Sequence, residues 1–573
     1  MHIALLDWIF LIGYLVFIAA VGIIVGLKVK NTDQYFLGER RFGKGLMIGQ
    51  SFGIGTHAEM PVSLAGAVYS MGASAIWFQW KNLFATPFYW IMAPIFRRIR
   101  RSTIAEMTED RYGPWMGGIY ILFALFFLIL ALASMMKGAG KVISQALGGD
   151  IGVNQVILAM IAVFVLYSFI GGLVAAAWTD FFQGFLIIAL SFMLIPLGLN
   201  VVGGMSGMKA SLETHFFSLA TPEGIGPWVI AMLTINGLIG IMAQPHMLAA
   251  VGTGKDEYTC RVGFLYGNFV KRFATVGWTF VGLIVAAMVA QGALGGAALA
   301  DPEDAFGFAA RELLFPGSLG LLIASVLAAN MSSASAFMVD SGALFTQGFY
   351  RRYLVLDRPD EHYLWVGRIS GFLVIVVSVI YAFLFIDRVL YSFLLTETMA
   401  TFMGISVLGG IVWRRANRWG AVSSLFVALG TNFLLYYQMG QRLDYWDPNV
   451  FLAALLAGVA ALVIASLLTA PEPAMKMNSF YGRLQTPTEI APEGLKKEHP
   501  AAAGPSEREP DDPEPNKIAA ETGQQSILVN LLNPRKAAMG LGLRAYAVDI
   551  NGFVIGWLLA IGLVSVTVLL FFL

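Results

Sequence analysis

Apolar windows long enough to cross a bilayer recur along most of the chain. A spanning helix needs about 20 predominantly apolar residues. Such windows fall near 5–26, 45–71, 73–96, 115–136, 153–172, 176–203, 227–251, 263–291, 318–345, 363–386, 389–413, 419–438, 449–469 and 550–572, which predicts fourteen spanning segments. The first is not followed by a small-residue cleavage site and reads as a retained helix, not a signal peptide. Two windows are broken by polar residues and helix breakers. The 45–71 window holds Gly49, Gly53, Gly55, Thr56, His57, Glu59 and Pro61, and the 227–251 window holds Asn236, Gly237, Gly240, Gln244, Pro245 and His246. Irregular backbone at membrane depth is tolerated where it lines a cavity. Two interrupted helices in matching places point to a midplane site between inverted repeats, here 45–203 and 227–413 with five helices each. For either break alone, a simple proline kink stays open.

One stretch departs from this pattern. From about 470 to 525 the chain is rich in Pro, Glu, Lys and Ala and cannot bury enough apolar surface to fold alone. The expected organisation is a core over 1–470 with helices one to thirteen, a largely disordered cytoplasmic linker over 471–548, and a C-terminal transmembrane helix over 549–573.

Composition agrees. The chain has 573 residues, 57% of them hydrophobic and 13% charged, with a mean hydropathy of +0.71. Soluble domains carry about 25% charged residues. The fold class is therefore an all-α polytopic protein of the cell (inner or plasma) membrane, with the lipid bilayer as a partner. A net charge of +1 gives no reason to expect nucleic acid. A single cysteine, Cys260, excludes an internal disulfide and a Cys-based metal site. Basic residues gather in alternate connections: Lys28 to Lys44, Arg97 to Arg111, Arg351 to Arg358 and Arg414 to Arg418. The positive-inside rule makes these cytoplasmic and both termini extracytoplasmic.

Candidate chemistry lies inside the spans. Ser332 and Ser333 sit mid-way along an apolar segment. Such hydroxyls either bond back to their own or a neighbouring helix or replace part of a cation's hydration shell. Ionisable residues in spans are costly and usually functional; here they are His57, Glu59, Lys81, Asp180, Lys271, Arg272, Asp340 and Glu397. Lys271 and Arg272 are discounted as near enough to a helix end to snorkel. Asp180 follows Gly171-Gly172-Leu173 where the chain turns back into the membrane, and reads either as a helix-start cap or as a cation ligand.

Several motifs carry a family resemblance. The run Phe169-Ile170-Gly171-Gly172-Leu173-Val174-Ala175-Ala176-Ala177-Trp178-Thr179-Asp180-Phe181-Phe182-Gln183 resembles the signature of the sodium/solute symporter family, which includes sodium/galactose, sodium/proline and sodium/sialic acid transporters. Thr103-Ile104-Ala105-Glu106-Met107 with Arg111-Tyr112-Gly113, Ala328-Ala329-Asn330-Met331-Ser332-Ser333, and the run from Gly409 to Ala421 are similar to further family segments. The resemblance covers roughly residues 5–470.

It implies a LeuT-type core of five plus five inverted helices with extra flanking helices, alternating access, and sodium as the coupling ion. Carried over, the sodium ligands are the Gly53, Thr56 and Ala329 carbonyls and the Ser332 and Ser333 hydroxyls. Five neutral oxygens suit a monovalent hard ion better than a divalent one, which recruits carboxylates. A second sodium in some members uses the Asp180 position and further serines. Here Ser335 is present but the next serine position is Ala336, so one sodium per cycle is expected. The implied solute pocket is lined by His57, Met60, Gln79, Asn82, Gln244, His246, Thr396 and Glu397, with Trp77, Phe78 and Trp80 as its aromatics. Met60, Gln79 and Asn82 stand where sugar-transporting members contact sugar, so the match to those members is poor, and the polar-neutral lining with its aromatics fits a small uncharged or zwitterionic solute. On an ideal helix Lys81 points about 100° away from Gln79 and Asn82 and is set aside. The alternative to a symporter is a transporter-like sensor or an uncoupled, channel-like relative. No nucleophile–base set or metal-ligand spacing suggests an enzyme.

Overall fold

A computed structural model describes residues 4–29, 31–293, 295, 297–442, 445–488, 524–532 and 543–572, without the side chains of 163–171 and 572. The described residues are predominantly helical and contain no β-strand. Among the described residues ten helices are long and apolar enough to cross a membrane. The four other predicted windows, 45–71, 73–96, 153–172 and 227–251, fall on interrupted or shorter helices.

The main helices begin with α1 (Leu5–Gly26), α2 (Lys44–Ile54), α3 (Glu59–Met71), α4 (Thr86–Arg98) and α5 (Pro114–Ala146). They continue with α6 (Val153–Phe192), α7 (Pro227–Gly240), α8 (Met247–Val251) and α9 (Glu257–Ala290). Then come α10 (Ser318–Phe345), α11 (Asp360–Leu384) and α12 (Val389–Val412). The last four are α13 (Arg418–Gln438), α14 (Pro448–Leu468), α15 (Ala474–Gln485) and α16 (Ala547–Phe572).

Both expected breaks are present. The chain leaves helical geometry between Ile54 and Glu59, and again between Gly240 and Met247, where a 3-10 turn at Ile241–Ala243 precedes Gln244. The breaks stand in corresponding places of two five-helix units. Gly172 sharply redirects α6 with φ 57°, a conformation that suits glycine. A Cβ there would also lie 2.5 Å from the Tyr35 ring. Asp180 therefore sits two turns beyond this bend, inside the second half of α6, not at a helix-start cap.

Helix α10 is almost wholly buried and packs on α6 and α1. Its N-terminus is held from outside: Asp7 of α1 accepts hydrogen bonds from Gly317 N (2.8 Å) and Gly320 N (2.7 Å) through one carboxylate oxygen. This satisfies donors that a helix start otherwise leaves open.

Charge networks tie the helix ends at both faces. On one, Lys141 of α5 bonds Asp301 (3.0 Å) and Glu303 (2.5 Å) of the acidic loop, Arg388 reaches Asp301 (2.6 Å), and Glu303 accepts from Val389 N and Leu390 N at the start of α12. On the other, Arg98 pairs with Glu257 (2.8 Å), and Arg111 donates to the Gly410, Trp413 and Ala416 carbonyls that close α12.

The stretch expected to be a linker carries the helix α15. Its Tyr481 donates to the Gly410 carbonyl (2.6 Å), and its Arg483 reaches Asp110 (2.8 Å). Residues 489–523 and 533–542, with the Pro-rich run, lie outside the described residues. Beyond them α16 docks on α4 and α9, with Asp549 2.5 Å from Arg261 and the Val548 carbonyl accepting from Trp90 Nε1.

Candidate functional site

The break between α2 and α3 faces α10 across a cluster of oxygens. Ser333 Oγ lies 3.3 Å from the Gly53 carbonyl and 3.2 Å from the Ile54 carbonyl. Ser332 Oγ donates to Asp180 Oδ1 at 2.6 Å, and Asp180 Oδ2 is buried with no hydrogen-bond partner. Oxygens sharing a hard cation at bond lengths near 2.4 Å stand roughly 3.4 Å apart in octahedral geometry. The Ser333–carbonyl spacing fits that requirement. The helices must approach closely to make it, since a Cβ on Gly53 would lie 2.7 Å from Ser332 Oγ and 3.0 Å from Asp180 Cβ.

Four of the sequence-expected ion residues thus converge: Gly53, Ser332, Ser333 and Asp180. Thr56 sits in the break, its N–H donating to the Gly53 carbonyl (3.1 Å) and its hydroxyl buried and unpartnered. Ala329 lies buried on α10 one turn before Ser333. Ser335 does not join Asp180, because its hydroxyl donates to the Met331 (2.8 Å) and Ser332 (3.0 Å) carbonyls of its own helix. The Ile54 carbonyl was not foreseen; a backbone oxygen at a break leaves no side-chain signal.

Directly beside this cluster is a cavity between the two breaks. All eight residues expected at the solute site line it: His57, Met60, Gln79, Asn82, Gln244, His246, Thr396 and Glu397. Gln79 Nε2, Asn82 Oδ1 and His246 Nδ1 are buried without a hydrogen-bond partner, and buried polar groups ordinarily have one.

Three expectations fail here. Lys81 does line the cavity, donating to Glu397 Oε2 at 2.6 Å with its ammonium 4.6 Å from the Phe393 ring centroid. The ideal-helix argument against it does not apply, because Trp77–Trp80 is a single helical turn followed by turn residues up to Thr86. Lys271 and Arg272 also line the cavity and are buried. The helix α9 starts at its Asp256 cap, whose side chain accepts from Thr259 N. At 1.5 Å per residue Lys271 therefore lies about 20 Å along it, too deep to snorkel. The expected aromatics are not the lining ones: Trp77 and Trp80 turn their indole N–H groups to the Leu219 and Arg272 carbonyls, and Phe127, Phe264, Phe337 and Phe393 line the cavity instead.

The lining carries the cations Lys81, Lys271 and Arg272 against the carboxylates Glu59 and Glu397. Glu397 is fully engaged, its second oxygen accepting from Gln244 Nε2 (3.0 Å). Glu59 Oε1 lies 2.7 Å from His57 Nδ1, and His57 Nε2 lies 2.8 Å from the Ile54 carbonyl. Asp340 is buried on α10 but does not line the cavity.

Residues 35–428 match the profile of the sodium:solute symporter family. The chain belongs to this family. Among its relatives, an osmoregulated proline transporter of Bacillus subtilis (strain 168) is 24% identical over 465 residues, covering 78% of this chain and 92% of the relative. A sodium/proline symporter of Salmonella typhimurium is 25% identical over 485 residues, covering 80% and 92%. A solved Na+-coupled sialic acid symporter aligns with a TM-score of 0.68 at 19% identity, covering 82% of this chain and 99% of that one. That likeness carries the LeuT-type fold, in which the interrupted helices are the first of each five-helix unit. As a member of the family, this integral membrane protein is a sodium-coupled symporter, with sodium as its coupling ion.

Proposed function

We propose that this symporter couples entry of one sodium per cycle to uptake of a small zwitterionic solute by alternating access. The sodium ligands in this reading are the carbonyls of Gly53, Thr56 and Ala329 and the hydroxyls of Ser332 and Ser333, with Asp180 supplying negative charge at the cluster. Ser335 is spent on its own helix and is left out. The observation that carries the coupling is the Ile54 carbonyl. It meets Ser333 on the ion side and His57 on the cavity side, so a cation that orders the break also orders the cavity wall. Of the two solute classes expected, the charged lining favours the zwitterion, and two relatives transport proline, which is one. In the membrane both termini are extracytoplasmic and the 471–548 stretch cytoplasmic.

Proteoliposomes test this reading. An inward sodium gradient should accumulate an amino acid above its external concentration, and a sodium ionophore should abolish the accumulation. Sodium-independent equilibration would favour the channel-like alternative. For topology, a cysteine placed near residue 505 should resist impermeant reagents applied outside intact cells; labelling from outside would reverse the orientation.

A further inference from the structure

Charge in the cavity is matched unevenly. Lys81 is satisfied by Glu397 at 2.6 Å and by the Phe393 ring. Arg272 donates Nη1 to the Gln79 carbonyl (3.0 Å). Both Glu397 oxygens are occupied, by Lys81 and Gln244. Lys271 stands apart: it is 7% exposed, it lines the cavity, and its ammonium makes no hydrogen bond or ion pair among the described residues, while its backbone carbonyl accepts from Thr275 Oγ1. Its stem runs along the first break, since a Cβ on Gly55 would lie 4.0 Å from Lys271 Cδ. A buried ammonium without a partner is costly, and a carboxylate brought in by the solute removes that cost with a charge-assisted hydrogen bond. Among the described residues two other charged groups of the lining keep a buried atom without a partner: Arg272 Nε, on a guanidinium otherwise bonded to the Gln79 carbonyl, and Glu59 Oε2, which suits an amino group.

Building on the reading of this cavity as the solute site, we infer that Lys271 is the carboxylate anchor of the transported solute. The solute therefore carries a carboxylate, and a polyol or simple amine of the same size is rejected because it leaves the ammonium unpaired. Lys271 is then a specificity-determining residue placed by α9 beside the ion-linked break.

The full-length protein in detergent tests this by thermal stabilisation in sodium and in potassium. The probes are the standard amino acids, the amino alcohol of each stabilising one, short monocarboxylates, and polyols. The expected ligands all carry a carboxylate and act in sodium. For the best of them, conversion to its amino alcohol and Lys271→Gln each raise the half-saturating concentration about tenfold or more. The two changes are not additive, so the amino alcohol binds Lys271→Gln no worse than wild type. Lys271→Arg keeps part of the affinity, and stabilisation by sodium alone reports that each variant is folded. The anchor is overturned if an amino alcohol or polyol binds wild type as well as the carboxylate, or if Lys271→Gln leaves the half-saturating concentration unmoved; sodium-dependent binding would then still support symport. If no probe stabilises the wild type, or sodium makes no difference, the symport reading falls together with the anchor.

Discussion

The oxygen cluster at the first break and the cavity beside it meet at the Ile54 carbonyl but are made of opposite materials. The cluster is built from carbonyls and hydroxyls on closely packed helices, with a single carboxylate beside them. The cavity lining includes three cations and two carboxylates on four elements, most of them already paired, among neutral polar and aromatic side chains. Neutral oxygens fixed by backbone select an ion by number and spacing. Paired charges leave selection to whichever charge is unmet. The two regions therefore fail differently: the cluster when a helix separation or a hydroxyl changes, the cavity when a charge is removed.

The largest effect is expected in the cluster. Ser332→Ala with Ser333→Ala removes two of five proposed ligands, and sodium-driven uptake should fall by about two orders of magnitude or more. Unchanged sodium dependence in a folded double variant would dissolve the distinction between the regions. Next comes Asp180→Asn, which removes the carboxylate bonded to Ser332; it should raise the sodium concentration for half-maximal uptake about tenfold. The Hill coefficient for sodium should stay near one, since Ser335 faces its own helix. A value approaching two that Asp180→Asn abolishes would show a second ion site.

A smaller effect belongs to the support of α10. Asp7→Ala leaves the Gly317 and Gly320 N–H groups without their acceptor. It should cost about 1–2 kcal/mol of stability, seen as a lower Tm, with solute affinity preserved. An unchanged Tm would mean that packing alone seats the helix. The smallest concerns pH. Partial burial pushes the Asp301 carboxyl up, but its hydrogen bond to Lys141 and the charges of Lys141 and Arg388 outweigh this and hold it below the ordinary range. A depressed carboxyl contributes stability that is complete above its unfolded pKa, about 3.9, and is lost as pH falls through the lower folded value. Tm should therefore decline on acidification below about pH 4, and less steeply in Asp301→Asn. Partial exposure keeps the effect small. Parallel profiles would remove Asp301 from the account.

Most of this architecture is legible in the sequence. Apolar windows locate the helices, and glycine, proline and polar residues locate both breaks, because a spanning segment has few other reasons to hold them. The family motifs bring Gly53, Ser332, Ser333 and Asp180 to one place. What stays hidden follows from local geometry. Lys81 looks misdirected only on an ideal helix, which ends at Trp80. Lys271 looks peripheral only if α9 begins at its apolar window and not at the Asp256 cap, an aspartate before the polar Glu257-Tyr258-Thr259 turn that hydropathy alone passes over. Asp7 reads as an isolated charge in an apolar helix until the glycine amides of α10 are beside it. The Ile54 carbonyl has no side-chain signature at all.

A cluster and a cavity energetically joined through the Ile54 carbonyl must show reciprocal binding. In the purified protein, with the best-binding amino acid, sodium should tighten solute binding, the solute should tighten sodium binding by the same factor, and Ser332→Ala with Ser333→Ala should bring that factor to one. Solute affinity that is identical with and without saturating sodium in the wild type would contradict the account.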